Sequence, residues 1–127
     1  SLKTRRIEWD ADYSTLRPLG AVGDILLVTT DDGSVSGLDI QSGTQIWTVD
    51  ALQGRGVSGP FGLEPRGLAV VGDYKGLLYL LDAASGKFVG RKKGGGGAVL
   101  GIYGAGDDDR FVTLSESGSL TAWAVGE

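Results

Sequence analysis

A repeat with a period of 42 or 43 residues is the feature that most constrains how this chain can fold. Three short apolar runs, rich in β-branched residues, recur along the sequence: Ile25–Val28, Leu68–Val71 and Phe111–Leu114. Each run is followed by a tight turn that contains a glycine, and these turn glycines are spaced 43 and 42 residues apart: Gly33, Gly76 and Gly118. Short apolar runs of this type are typical of buried strands. Strand-rich units with this period are typical of β-propeller blades, so we predict an all-β fold.

The repeat predicts up to four antiparallel strands, A to D, in each unit. In the first unit they are Thr15–Leu19, Asp24–Thr30, Ser34–Asp39 and Thr44–Val49. In the second unit they are Ser58–Leu63, Leu68–Asp73, Leu77–Asp82 and Lys87–Arg91. The third unit offers three strands and then ends without a strand D: Val99–Tyr103, Arg110–Ser115 and Ser119–Val125.

The chain is therefore predicted to be a single partial β-propeller domain of about three four-stranded blades. The N-terminal segment Arg6–Asp10 resembles the strand around Trp47 and is predicted to be the outer strand of a preceding blade. The predicted division is residues 1–11 for that strand, 12–50 and 51–93 for two blades, and 94–127 for a last blade that lacks its outer strand.

Composition excludes several classes of chemistry. The chain has no His and no Cys, so it lacks a disulfide, a thiolate zinc site, a Cys nucleophile and a His general base. It carries 12 basic and 16 acidic residues without a basic stripe, so we expect no nucleic-acid partner. No constellation of catalytic, cofactor-binding or metal-binding residues is recognisable, and we predict a non-enzymatic protein without a cofactor.

The chain also contains no Met, not even at its first position, so we expect it to be a piece of a longer protein. It has no charged and then apolar leader and no apolar stretch near 18 residues. Neither a signal peptide nor a transmembrane helix is therefore predicted within it. Any targeting segment is expected upstream.

The segment Leu38–Trp47 carries the most specific local pattern. An Asp at the end of strand C can accept hydrogen bonds from turn amides, a Ser-Gly pair can form the turn between strands C and D, and Trp47 can pack between neighbouring blades. The second unit keeps the Asp and the Gly in Leu81–Gly86, but the place of the Trp falls near Gly90. This pattern resembles the repeat of the pyrroloquinoline-quinone (PQQ) type propellers, in which it is structural.

Two longer stretches resemble the last two blades of the BamB family, the propeller lipoproteins of the outer-membrane β-barrel assembly (BAM) machinery. They are Gly67–Val89 and Phe111–Val125. The resemblance implies that the chain is the C-terminal three blades of an eight-bladed ring. It also implies a scaffold that supports outer-membrane protein assembly, anchored by a lipidated N-terminal Cys at the periplasmic face of the outer membrane. The implied partner is the set of periplasmic domains of BamA, held largely by loops upstream of this piece.

If the blades display rim loops rigidly, the exposed turn residues are the candidates for partner recognition. One edge of the sheets would carry five of them and the other edge one. These candidates are Asp31, Asp32, Tyr74, Lys75 and Glu116, with Gln41 on the opposite edge.

Two other functions remain open at this point. The chain could be a fragment of a PQQ-dependent dehydrogenase, which would need quinone and calcium ligands over the ring centre, or an unrelated propeller adaptor. In each case an open arc of blades exposes apolar faces and strand edges. We therefore expect the piece to self-associate, with Ile7–Asp10 of one chain completing the last blade of another.

Some glycine-rich and acidic motifs are better explained by structure than by ligand binding. Gly54–Gly59 matches G-x-G-x-x-G, but it precedes a predicted strand where a dinucleotide site needs a helix. Gly94–Gly97 lacks the Lys-Ser/Thr ending of a phosphate loop, and Asp107–Asp109 lacks the alternating ligands of a calcium loop. The linker Lys92–Gly97 and the insertion Gly104–Asp109, which contain these motifs, are predicted to be mobile surface loops; the alternative is a pair of oppositely charged loops on one rim.

Overall fold

Three antiparallel sheets make up the fold. The computed structural model describes residues 7–15, 17–94, 96–105 and 109–125. The first sheet contains β1 (Gly20–Val22), β2 (Ile25–Thr29), β3 (Val35–Asp39) and β4 (Gln45–Val49). The second contains β5 (Phe61–Leu63), β6 (Leu68–Gly72), β7 (Leu77–Asp82) and β8 (Phe88–Lys93). The third contains β9 (Val99–Gly104), β10 (Arg110–Ser115) and β11 (Leu120–Ala124).

In each sheet the strands are paired in the order in which they occur along the chain, as in a propeller blade. The all-β, three-blade prediction is therefore confirmed. Among the described residues only Glu64–Arg66 is helical, as one turn of 3-10 helix between β5 and β6. None of the described residues forms a helix that is long and apolar enough to cross a membrane.

The sheets stack face to face, and an apolar cluster lies at each interface. Between the first and second sheets the buried side chains include Leu27, Val35, Trp47, Val71 and Leu81. Between the second and third sheets they include Leu63, Val70, Leu78, Val99 and Phe111. Strand β7 contributes to both clusters, which explains why its sequence is apolar on both faces.

The turns between strands B and C follow one hydrogen-bonding scheme in all three sheets. The side chain at the end of strand B accepts a hydrogen bond from the backbone N–H four residues later, where strand C begins. The three pairs are Ser34 to Thr30, Leu77 to Asp73 and Ser119 to Ser115. The predicted turn glycines follow within each hairpin and have positive φ values of 97°, 87° and 87°. The repeat is thus set by local hydrogen bonds.

Most predicted strands lie within two residues of the observed bounds, but the first one is wrong. Thr15–Leu19 is not a strand in its described residues, Leu16 lying outside them, and β1 begins only at Gly20. The residues before β1 form hydrogen bonds with the β2–β3 hairpin instead. The hydroxyl of Thr15 donates to the carbonyl of Thr29, and the N–H of Asp31 donates to the carbonyl of Ser14. The strand predicted from Ser58 likewise begins later, at Phe61.

The N-terminal segment, predicted to be the outer strand of a preceding blade, has no partner strand within the described chain. Residues 7–10 form no strand with the rest of the described chain, and Arg6 lies outside the described residues. Trp9 packs onto the turn between β3 and β4 and donates its indole N–H to the carbonyl of Ile40 at 2.8 Å.

Candidate functional site

The acidic candidates Asp31 and Asp32 lie at the exposed tip of the β2–β3 hairpin. Asp31 is 3.5 Å from the guanidinium of Arg17 and accepts a hydrogen bond from Ser14. Asp32 stabilises the turn itself: hydrogen bonds from the hydroxyl of Thr30 and the backbone N–H of Ser34 lower the pKa of its carboxyl. Asp31 and Asp32 together form an acidic hairpin tip.

The equivalent tip of the second sheet is basic and aromatic. Tyr74 is exposed, and the ammonium of Lys75 lies 5.7 Å from the centre of its ring. In the third sheet Glu116 is exposed in the β10–β11 hairpin. These tips lie at the same end of their sheets, so five of the six candidate residues share one rim. Gln41 is exposed at the opposite end of β3, in the β3–β4 turn, and does not join them.

A fully buried carboxylate supports the second tip, and sequence reasoning missed it. Asp73 accepts hydrogen bonds from the backbone N–H groups of Lys75 and Leu77 and, at 3.0 Å, from the hydroxyl of Tyr79. Burial, with the nearby Asp73 carboxylate, raises the pKa of Tyr79 above its ordinary value of 10.0. Tyr79 therefore remains a hydrogen-bond donor at neutral pH. Arg55 lies 3.9 Å from the same carboxylate. The 43-residue offset from Thr30 is the signal that could have identified Asp73 as the side chain of this turn.

Trp47 docks one blade onto the next. Its ring is 8% exposed and covers Gly86 in the β7–β8 turn, and its indole N–H donates to the carbonyl of Ala83 at 2.7 Å. Trp9 makes the same pair of contacts one blade earlier, with Gly43 and the carbonyl of Ile40. The structural interpretation of the Asp, Ser-Gly and Trp pattern is thereby confirmed.

The same turns show what the repeated Asp does. Asp39 accepts a hydrogen bond from the backbone N–H of Gln41, and Asp82 accepts one from Ala84, with both distances close to 3 Å. Gly90 does occupy the register position of Trp47, since it faces Leu80 as Trp47 faces Gly37. In the first blade the small residue lies on β3 and the large one on β4, whereas in the second blade the large residue lies on β7 and the small one on β8.

The two unusual loops lie at opposite ends of the sheets. Gly94 and Gly97 pack against Gly76 in the β6–β7 hairpin, at the rim that also carries Glu116. At the other end, Asp109 forms an ion pair with Arg66 at 2.8 Å. The alternative of two oppositely charged loops on one rim is therefore wrong for these described residues. Gly95 and residues 106–108 lie outside the described part of the chain.

The lysines beside the glycine loop are also placed differently from the prediction. Lys92 and Lys93 belong to β8, whereas the sequence suggested that they lead into a linker. Their alternation continues the strand, and each pairs across to β7. Within the described ranges no group of three or more His, Cys, Asp or Glu residues could hold a metal ion.

The stacked sheets, the repeated hairpins and the blade-to-blade tryptophan define a segment of a β-propeller. The family model described as outer membrane protein assembly factor BamB matches residues 31–123, and the chain belongs to this family. The matched residues run from the first hairpin tip to β11, so they include parts of all three sheets.

Relatives agree with this assignment, and a solved structure has the same fold. The chain is 40% identical over 93 residues to the outer membrane protein assembly factor BamB of Burkholderia pseudomallei, and 31% identical over 85 residues to that of Francisella tularensis. These matches cover 72% and 67% of this chain but only 23% and 18% of the relatives. The crystal structure of BamB from Moraxella catarrhalis has the same fold, with a TM-score of 0.86 at 23% identity. It matches 97% of this chain and 35% of its own.

Proposed function

We propose that this chain is part of a non-enzymatic scaffold that supports the assembly of outer-membrane proteins at the periplasmic face of the outer membrane. The observation that carries the proposal is the family match, because it extends across all three blades and the relatives are assembly factors by name. No observation favours the quinone-dependent dehydrogenase over this function.

The proposed mechanism is rigid display of turns. Two apolar interfaces hold the three sheets against one another, and Trp47 fastens the first blade to the second. The hairpin tips between strands B and C are thereby held at fixed positions on one rim, where a partner can contact several of them together. We propose that the exposed candidates on that rim, Asp31, Asp32, Tyr74, Lys75 and Glu116, contribute to such contacts, and that Gln41 belongs to a separate surface.

We also propose the blade division given above, with residues 12–50, 51–93 and 94–127 forming successive blades. In the longer parent protein, another segment would then pair with the open edge of β11. The proposed partner of that parent is the set of periplasmic domains of BamA.

Binding of the full-length parent to the purified periplasmic domains of BamA tests this function. Biolayer interferometry should show saturable binding by the parent. The variant Lys75→Glu reverses a charge on the proposed rim, and Gln41→Glu adds a charge of the same sign at the opposite edge. If the rim is used, Lys75→Glu weakens binding more than Gln41→Glu does. A parent that shows no binding to these domains would refute the function.

A further inference from the structure

The first two sheets carry equivalent grooves whose chemistry is opposite. The groove of the second sheet, here called the basic groove, has a volume of about 380 Å³ and is lined by Leu52, Arg55, Tyr79, Phe88 and Arg91 among others. The groove of the first sheet, here called the acidic groove, has a volume of about 410 Å³ and is lined by Asp12, Asp31, Asp32, Ser36, Gln45 and Thr48 among others.

The two grooves correspond through the 43-residue repeat. Ser36 and Thr48 face each other across β3 and β4, as Tyr79 and Arg91 do across β7 and β8. Gln45 likewise corresponds to Phe88. Because the strands pair in the same way in both blades, the different chemistry of the second groove comes from its side chains.

The basic groove combines cationic groups with an aromatic floor. Phe88 is 45% exposed and packs edge-on against Tyr79, with the ring centres 5.9 Å apart. Tyr79 is held from below by its hydrogen bond to the buried Asp73. The exposed ring of Phe88, packed against this anchored Tyr79, offers an apolar contact surface that is already positioned before a ligand binds.

The guanidinium groups at this groove are available to an anion. The guanidinium of Arg91 makes no hydrogen bond or ion pair with the part of the chain that the structure describes. Arg55 is 44% exposed and contacts only one edge of the Asp73 carboxylate, at 3.9 Å. That carboxylate accepts its three hydrogen bonds from groups other than Arg55, so the guanidinium of Arg55 keeps its N–H donors for a second carboxylate. No carboxylate belongs to the described residues that line the groove.

We propose that the basic groove binds an acidic peptide segment that carries a large apolar side chain. Its aromatic or aliphatic side chain packs on Phe88, and its carboxylates pair with Arg91 and Arg55. Charge complementarity argues for this occupant, because the cations gather here in a chain whose net charge is −4. The proposal does not depend on the proposed function, since it rests on the groove alone.

Fluorescence anisotropy with a labelled Glu-Glu-Phe-Glu-Glu peptide tests the proposal on the complete chain. Two control peptides separate the contributions: Gln-Gln-Phe-Gln-Gln removes the charges, and Glu-Glu-Ala-Glu-Glu removes the ring. We expect each control peptide to bind at least about tenfold more weakly than the probe.

A matched pair of variants locates the binding. Arg91→Glu reverses a charge in the basic groove. Lys92→Glu makes the same change on the neighbouring residue, which lines a different groove on the other face of the sheet. We expect Arg91→Glu to weaken binding by about tenfold or more and Lys92→Glu by less than about threefold. Circular dichroism of both variants checks that the fold is intact.

Several outcomes would overturn the proposal. It fails if the probe does not bind, if both variants weaken binding equally, or if the alanine peptide binds as well as the probe. Binding to phosphatidylglycerol vesicles that needs Arg91, without any binding of the peptide, would replace the peptide with a lipid surface.

Discussion

The tryptophan contact between blades makes a quantitative prediction about Gly86. A Cβ built at Gly86 would lie 2.6 Å from Cε3 of Trp47, and the residue has φ = 77°. Gly118 has nearly the same backbone conformation, φ = 87°, but a Cβ there meets nothing within 4 Å. Gly118→Ala is therefore the matched control for Gly86→Ala, because it carries the backbone strain without the steric clash.

The expected costs follow from the separate contributions. Placing alanine in the left-handed region costs about 1–2 kcal/mol at either position. At Gly86 the clash also displaces the indole of Trp47, and overpacking of this kind costs about 1–3 kcal/mol. Loss of the hydrogen bond to Ala83 adds about 1 kcal/mol. We therefore expect Gly86→Ala to lower the free energy of unfolding by about 2–4 kcal/mol more than Gly118→Ala does.

Urea unfolding followed by far-ultraviolet circular dichroism measures these free energies. In a Trp47→Leu background the indole atoms are gone, so Gly86→Ala should cost only as much as Gly118→Ala. Where a double variant is too unstable, the same cycle can be measured with a stabilising osmolyte such as trimethylamine N-oxide. Equal costs for the two glycines in the native background, or an excess at Gly86 that survives Trp47→Leu, would refute the docking argument.

Four further results are expected. The hydroxyl of Thr29 is buried without a hydrogen-bond partner in the described structure, so Thr29→Val should raise the free energy of unfolding by about 1 kcal/mol in the same assay. Because the pKa of Tyr79 is raised on folding, the contribution of its hydroxyl to the free energy of unfolding is complete below about pH 10. That contribution is lost as the pH rises through the pKa that Tyr79 has in the folded state. Tyr79→Phe should abolish that alkaline loss of stability, and an unchanged pH profile would contradict it. The open edge of β11, with Leu120 70% exposed, should make the isolated chain self-associate, and light scattering that finds only monomer at high concentration would exclude this. Adding PQQ with calcium should not change the midpoint of thermal unfolding, and a saturable increase would favour the dehydrogenase alternative.

Where the sequence could predict the fold, the information was local. The hairpins between strands B and C were predictable because the turn glycine and the side chain that binds the turn lie within four residues of each other. The exact strand Leu77–Asp82 was predictable for a related reason, since an apolar run on both faces needs cover on both sides. The strand predicted at Thr15–Leu19 failed because Ser14 and Thr15 hydrogen-bond to another hairpin.

The candidate site was less predictable than the fold. The exposed hairpin tips could be predicted from the turn patterns, and in the structure five of the six candidate residues share one rim. The basic groove could not, because Arg55, Tyr79 and Arg91 are separated by 24 and 12 residues and come together only when the second sheet folds. Comparing the first two blades residue by residue would have shown that the charge changes between them. It would not have shown that the compared residues line a groove in each blade.

What the sequence determined by itself is therefore the repeat: its period, its strands, its turns and the family to which the blades belong. The tertiary structure decided which surfaces those repeats present. It buried Asp73 beneath Tyr79 and separated the two unusual loops to opposite ends of the sheets. The physical reason is that turns and strands depend on hydrogen bonds and side-chain alternation among near neighbours, whereas a groove depends on which faces of separate elements are packed together.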